Sequence, residues 1–134
     1  MNRGRAYREA KKLCDQYPVR YSEDKRTVVI ERYDFPEGWK PRFGKLRYDL
    51  PSTYPRDMPT VYIPDGMKYR GGTPTHLLTF VKAPGRDGGE WRKWCIEDQN
   101  IPWDRENDSL IKLTTLMRAS LERPNSDNPF VEAQ

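Results

Sequence analysis

The sequence predicts a mixed α/β domain. An N-terminal helix and a second helix near the C-terminus are expected to pack on a four-stranded antiparallel meander. Three observations predict this. Val28, Val29 and Ile30 form a β-branched run, which favours strand. Residues 44–50 alternate, with Leu46, Tyr48 and Leu50 on one side and Lys45, Arg47 and Asp49 on the other, the period of a half-buried strand. Leu110, Leu113, Met117 and Leu121 recur at spacings of three and four, the apolar stripe of a helix.

Taken in order, Arg5 to Gln16 reads as a helix, because Ala6, Ala10, Leu13 and Tyr17 define one face and Pro18 stops it. Cys14, beside Leu13, is expected to be a small buried hydrophobe. "VRY" at 19–21 is a short strand, "SEDK" a turn and "RTVVIERY" at 26–33 the clearest strand. "FPEGWKPRF" reads as a loop, punctuated by Gly38 and two prolines. "GKLRYDL" at 44–50 and "TVYI" at 60–63 complete the meander, the latter bounded by Pro59 and Pro64, which lack the ladder's donor. Asp65 to Gln99 is Gly- and Pro-rich and irregular, and only "HLLTF" is strand-like. Its "GRDGG" lacks the Lys-Ser or Lys-Thr of a phosphate loop, so nucleotide binding is not expected. The second helix is expected from Asp108 to Leu121, capped by Asp108 or Ser109 and ended by Pro124. "RPNSDNPFVEAQ" reads as an extended polar tail anchored by Phe130.

Composition narrows the function classes. The 134 residues are read as one domain, 1–134. Mean hydropathy is low, at −1.01, yet four Trp, eight Tyr and four Phe supply the area that a disordered chain lacks. The net charge is +4 with basic and acidic residues interleaved. That pattern suits a solvated surface better than a nucleic-acid surface. Two cysteines and one histidine build neither a disulfide framework nor a zinc site. No metal and no cofactor are expected. No apolar run reaches membrane length and "MNRGRAYREAKK" has no hydrophobic signal region. A cytoplasmic location, where free thiols persist, is therefore expected.

Several ordered motifs carry a family resemblance. "TYPRDMPTVYI" at 53–63 is similar to the Tyr-Pro…Pro segment of ubiquitin-conjugating (E2) enzymes. "PNSDNPFVEA" at 124–133 is similar to their Pro-Asn…Asp-x-Pro segment. Between them, Cys95 precedes Trp103 by eight positions, the spacing of the active cysteine and following tryptophan in many members. The chain therefore resembles that family over residues 5–133. It departs from it in three respects: there is no His-Pro-Asn before the cysteine, the intervening loop is longer, and the sequence stops where eukaryotic members continue into further C-terminal helices. These departures are similar to divergent bacterial members in anti-phage operons of the cyclic-oligonucleotide (CBASS) type, where the E2-like protein handles the C-terminus of a cyclic-nucleotide synthase.

The resemblance implies an acyl carrier and transferase in which Cys95 takes the C-terminus of a partner protein as a thioester, after activation by a separate E1-like activating enzyme. A thiolate attacks carbonyls readily and its thioester stays reactive. Arg92 and Lys93 favour thiolate, whereas Glu97 and Asp98 oppose it if they point inward. Trp91 and Trp94 are expected to wall the groove for the tail, with Arg92 and Lys93 beside them, and Trp103 to fix the following loop by packing. His76, nineteen residues before Cys95, is open to the roles of base, oxyanion donor or structural hydrogen bonder. Asn100 and Gln99 are alternative oxyanion donors. Asp98 and Asp104 are candidates to orient or deprotonate an amine, although Asp104 also suits a loop. The alternative reading is a non-catalytic E2-like scaffold binding a partner through the same groove, with Cys95 an inert core residue. A small nucleic-acid adaptor is the unrelated third reading.

Overall fold

The computed structural model describes residues 4–85, 88–104 and 106–132. Its elements are α1 (Arg5–Leu13), β1 (Val19–Ser22), β2 (Thr27–Asp34), β3 (Trp39–Lys40), β4 (Phe43–Asp49), β5 (Thr60–Pro64), β6 (Lys68–Tyr69), β7 (Leu77–Lys82), β8 (Trp91–Trp94), α2 (Leu110–Glu122) and α3 (Pro129–Glu132). The fold is mixed α/β with an antiparallel sheet. The four meander strands are neighbours, but among the described residues the sheet has six strands in the order β1-β2-β4-β5-β8-β7. The "irregular" stretch 65–99 therefore supplies two further strands. "WRKW" forms β8, which slots between β5 and β7, with Val61 opposite Trp94 and Leu77 opposite Trp94 on the other side. Its short, charged sequence hid it, because only two of its four residues are buried.

Period-two alternation sets both faces of the sheet. Val28, Ile30, Leu46, Tyr48, Val61, Ile63 and Trp94 share a core with Ala10 and Leu13 of α1 and with Leu110, Leu113, Met117 and Leu121 of α2. A bulge between Ile30 and Tyr33 adds a residue to β2, which turns Tyr33 into that same core. The opposite face carries Val29, Tyr62, Ala83 and Trp91. Arg47, expected in solvent, is buried there. Its guanidinium pairs with Asp49 at 2.7 Å, donates to the Pro84 carbonyl at 2.9 Å and lies over the Tyr62 and Trp91 rings. The chain around 83–85 covers this face at Arg47, so the alternation in β4 separates two interiors there, while Lys45 on the same side stays exposed.

The segment 35–43 is more than a loop. Trp39 pairs with Tyr69 as part of the β3–β6 ribbon, is 1% exposed and donates its indole N–H to the Leu121 carbonyl at 2.8 Å. Phe35, Trp39 and Trp94 run through the core with ring centres 5.4 and 5.7 Å apart, within the range of favourable aromatic pairs. At α1, the helix ends at Leu13 and Cys14 is exposed. The expectation of a buried Cys14 fails because the residue lies at the helix C-cap and on the flank of the stripe, whose line runs through Leu13 to Tyr17.

The start of α2 is capped twice. The Ser109 side chain accepts from the Lys112 N–H at 3.3 Å, and the Glu9 carboxylate of α1 accepts from the Leu110 N–H at 2.8 Å. After Pro124 the tail turns, and α3 places Phe130 at 8% exposure. The anchor is as expected, although the segment is folded rather than extended. Among the described residues no helix is long and apolar enough to cross a membrane.

Candidate functional site

The register of β7 on β8 builds the surroundings of Cys95. Leu77 lies opposite Trp94, so the next pair outward is His76 and Cys95. The Cys95 N–H donates to the His76 carbonyl at 2.8 Å. Residues 97–99 then form one 3₁₀ turn, and Asn100 closes it in the left-handed region at φ 59°, where Asn is among the better tolerated residues. Two residues nineteen positions apart in the chain thus meet through backbone pairing.

Cys95 is 6% exposed. It donates to Glu97 Oε2 at 3.2 Å, and Lys93 Nζ lies 3.5 Å from the same oxygen. Burial pushes the thiol up to about 11. The Asp98 backbone N–H works the other way, while the Glu97 and Asp98 carboxylates raise it further. The expected lowering by Arg92 and Lys93 is therefore not what the structure has. Lys93 is engaged by Glu97, and Arg92 donates to the Gly89 and Trp91 carbonyls and faces Asp65. Residue charge alone could not reveal this, since the outcome depends on which neighbours turn toward the sulfur.

The other candidates separate into distinct places. The imidazole Nε2 of His76 lies 3.0 Å from the Ser126 carbonyl and 3.2 Å from Asp127 Oδ1. His76 is 3% exposed and its ring edge rests against Trp94. Asn100 Nδ2 donates to the Asp127 carbonyl at 2.9 Å and to Asn128 Oδ1 at 3.1 Å. Gln99 is fully buried, accepts from Ser120 Oγ and donates to the Ser126 carbonyl at 3.3 Å. Thr75 adds its N–H to Asn125 Oδ1 at 2.8 Å. Residues 75–76 and 99–100 together clasp the segment 125–128. In this arrangement the His76 and Asn100 side chains hold the tail.

Trp94 is fully buried, donates its indole N–H to Ser120 Oγ at 2.7 Å and walls no groove. Trp91 is 3% exposed on the opposite face, at a cleft of about 560 Å³ lined also by Lys45, Asp65 and Met67 but not by Cys95. Trp103 packs on Tyr54 and donates to the Pro55 carbonyl at 2.9 Å, which ties the loop after Cys95 to residues 54–55. Asp98 is exposed in the 3₁₀ turn. Asp104 accepts from the Glu106 N–H and the Asn107 amide. These bonds, the Asn107 one first, hold its carboxyl below the usual range and assign it to a local turn. Among the described residues no group of three or more His, Cys, Asp or Glu side chains is gathered to hold a metal ion.

Sequence reasoning missed the partners of these candidates. Thr75 and Ser120 carry no distinguishing signal as isolated polar residues, Asn125 and Ser126 stand out only as part of the Pro-Asn motif, and only the tertiary pairing of 75–76 and 99–100 with 125–128 shows what these residues hold. Compared with protein-family models, with curated proteins and with solved structures, the chain matches none.

Proposed function

We propose that the chain is an E2-like acyl carrier in which Cys95 forms a thioester with the C-terminus of a partner protein, supplied by a separate activating enzyme. A bacterial cyclic-nucleotide synthase is the partner that the motif resemblance favours. The observation that carries this reading is spatial. The pieces on which the resemblance rests are far apart in sequence yet bond to one stretch, the turn at 97–100 and the loop that follows it to Trp103. Trp103 bonds to Pro55 of the Tyr-Pro segment, and Gln99 and Asn100 bond to Ser126, Asp127 and Asn128 of the Pro-Asn segment. Cys95 lies at the head of that turn. The order of α1, meander, Cys95 turn and α2 supports the finer, ubiquitin-conjugating reading of the fold. The added strands β7 and β8 depart from the four-stranded expectation.

A second reading, the non-catalytic scaffold, is favoured by one specific observation. The Cys95 thiol is nearly buried and its pKa is pushed up, the state of an inert cysteine. The two readings differ in covalent chemistry. In the transferase, the Cys95 sulfur bonds to the acyl carbon as that carbon leaves its activated carrier. The test mixes the protein with ATP, an activating enzyme and a candidate tail, and reads intact mass with and without hydroxylamine. A hydroxylamine-labile adduct is expected, absent in Cys95→Ala, retained in Cys14→Ser and converted to a more durable oxyester in Cys95→Ser. An adduct that persists in Cys95→Ala, or none with any tail, leaves the scaffold.

A further inference from the structure

We infer that Glu97 is an electrostatic restraint on Cys95, released when a cationic side chain of the bound partner pairs with it. The inference rests on the reading of Cys95 as the acyl-bearing residue and adds how that residue is kept quiet and what chemistry the partner must bring. The geometry is a row of three side chains at alternate positions. Lys93 Nζ lies 3.5 Å and Cys95 Sγ 3.2 Å from one and the same oxygen, Glu97 Oε2.

A hydrogen bond from a neutral thiol to a carboxylate stabilises the neutral form, and the thiolate would stand beside a like charge. Burial and the Asp98 carboxylate act in the same direction, and the Asp98 backbone N–H opposes them. Among the described residues, Lys93 from β8 is the cation paired with this carboxylate. The restraint is accessible where the nucleophile is not. The Glu97 side chain is 40% exposed, whereas Cys95 is 6% exposed. An entering partner therefore meets Glu97, with exposed Asp98 beside it, before it meets the sulfur. Lys93 shows that a primary ammonium fits against Oε2. A Lys or Arg side chain next to the partner's acyl terminus would complete the neutralisation that Lys93 begins. The thiol then gives its proton to solvent. Its sulfur bonds to the acyl carbon as the bond from that carbon to its former carrier breaks, and the departing carrier takes up a proton.

The test needs no partner, so its failure is distinct from failure of the acyl-carrier reading. Cys14 is exposed, so all variants carry Cys14→Ser, and circular dichroism checks their fold. Modification of Cys95 is followed by mass with three probes: neutral iodoacetamide, cationic aminoethyl methanethiosulfonate and anionic sulfonatoethyl methanethiosulfonate. Glu97→Gln should lower the thiol pKa. A fall of about one unit gives about tenfold more thiolate at pH 8, and the loss of intrinsic nucleophilicity takes back about threefold. The expected gain with iodoacetamide is thus about threefold. The parent should prefer the cationic over the anionic reagent by about tenfold, the size of Coulomb attraction and repulsion at a few ångströms in a water-like medium. Glu97→Gln should bring the two within about twofold, because the decisive charge is gone. Glu97→Asp keeps the charge and should keep the preference, and Lys93→Met should slow iodoacetamide. An unchanged or slower iodoacetamide reaction in Glu97→Gln overturns the restraint, the slower result marking Glu97 as a proton acceptor instead. Equal rates for the two charged reagents in the parent overturn the cationic entry.

Discussion

Replacing Glu9 should cost the protein more than any surface carboxylate would. Glu9 Oε1 accepts from the Leu110 N–H at 2.8 Å and from the Tyr54 hydroxyl at 2.5 Å. Its Oε2 accepts from Arg5 Nε at 2.5 Å. Leu110 is fully buried and opens α2, where the first backbone N–H groups have no acceptor within the helix. In Glu9→Ala that donor loses its partner, at a cost of about 1–3 kcal/mol, and the Tyr54 hydroxyl loses another bond worth about 1 kcal/mol. The Arg5 side chain is 36% exposed, so its pair with Glu9 is screened and adds little. The expected total is about 3 kcal/mol, a large share of a typical stability of about 5–15 kcal/mol. With an unfolding entropy of about 2.1 cal/mol/K per residue, the melting temperature should fall by about 10 °C.

The assay is urea unfolding and thermal melting of the parent, Glu9→Ala, Glu9→Gln and Ser109→Ala. Glu9→Gln keeps an acceptor and loses the charge, so it should fall by about 1 kcal/mol, since charge-assisted bonds are roughly twice as strong as neutral ones. Ser109→Ala should also lose about 1 kcal/mol. A Glu9→Ala loss below about 0.5 kcal/mol, the range of ordinary surface changes, would refute the assignment of Glu9 as the second cap. Equal losses in Glu9→Ala and Glu9→Gln would move the cause from the hydrogen bonds to the charge at the helix N-terminus.

Two further outcomes follow from particular residues. Leu113, fully buried between α2 and the sheet, should cost about 2–5 kcal/mol as Leu113→Ala in a denaturant melt, and a change of a few tenths would mean that the core lies elsewhere. In the Cys14→Ser protein, iodoacetamide modification of Cys95 should climb about tenfold per pH unit from pH 7 to pH 10, because only the thiolate reacts and the thiol sits near 11. A plateau by pH 9 would show an unrestrained thiol.

Elements whose signal is local were legible in the sequence. The α2 stripe of Leu110, Leu113, Met117 and Leu121 is the buried face, the Ser109 cap is present, and the β2, β4 and β5 boundaries fall within a residue of expectation. What stayed hidden depends on distant chain. Trp39 in a Gly- and Pro-punctuated segment gives no periodic signal, because β3 has two residues and its partner β6 lies nearly thirty residues on. Arg47 obeys the alternation of β4 and is buried all the same, since a covering segment is invisible in a strand's own period. At the site, the meeting of His76 with Cys95 follows from the register of β7 on β8. The direction of the thiol shift follows first from the burial of Cys95 and then from the Glu97 and Asp98 carboxylates beside it, surroundings that single residues do not encode.

The polar chain behind Cys95 explains why electrostatics and position can be separated there. Trp94 donates to Ser120, Ser120 donates to Gln99, and Gln99 donates to the Ser126 carbonyl, which also faces His76. Trp94, Ser120, Gln99 and His76 are all buried, so removing one member leaves another donor or acceptor without its partner and costs stability. The turn that carries Cys95 is therefore placed by the core and by the clasped tail rather than by its own loop. Glu97 belongs to none of these bonds; it touches the sulfur and Lys93 and is open to solvent. A substitution that moves the turn must lower the stability of the whole domain, whereas one that changes only the charge beside the sulfur need not. A rise in Cys95 reactivity at constant stability thus belongs to the carboxylates beside the sulfur, Glu97 before Asp98, and a rise that comes with lost stability belongs to the chain from Trp94 to the tail.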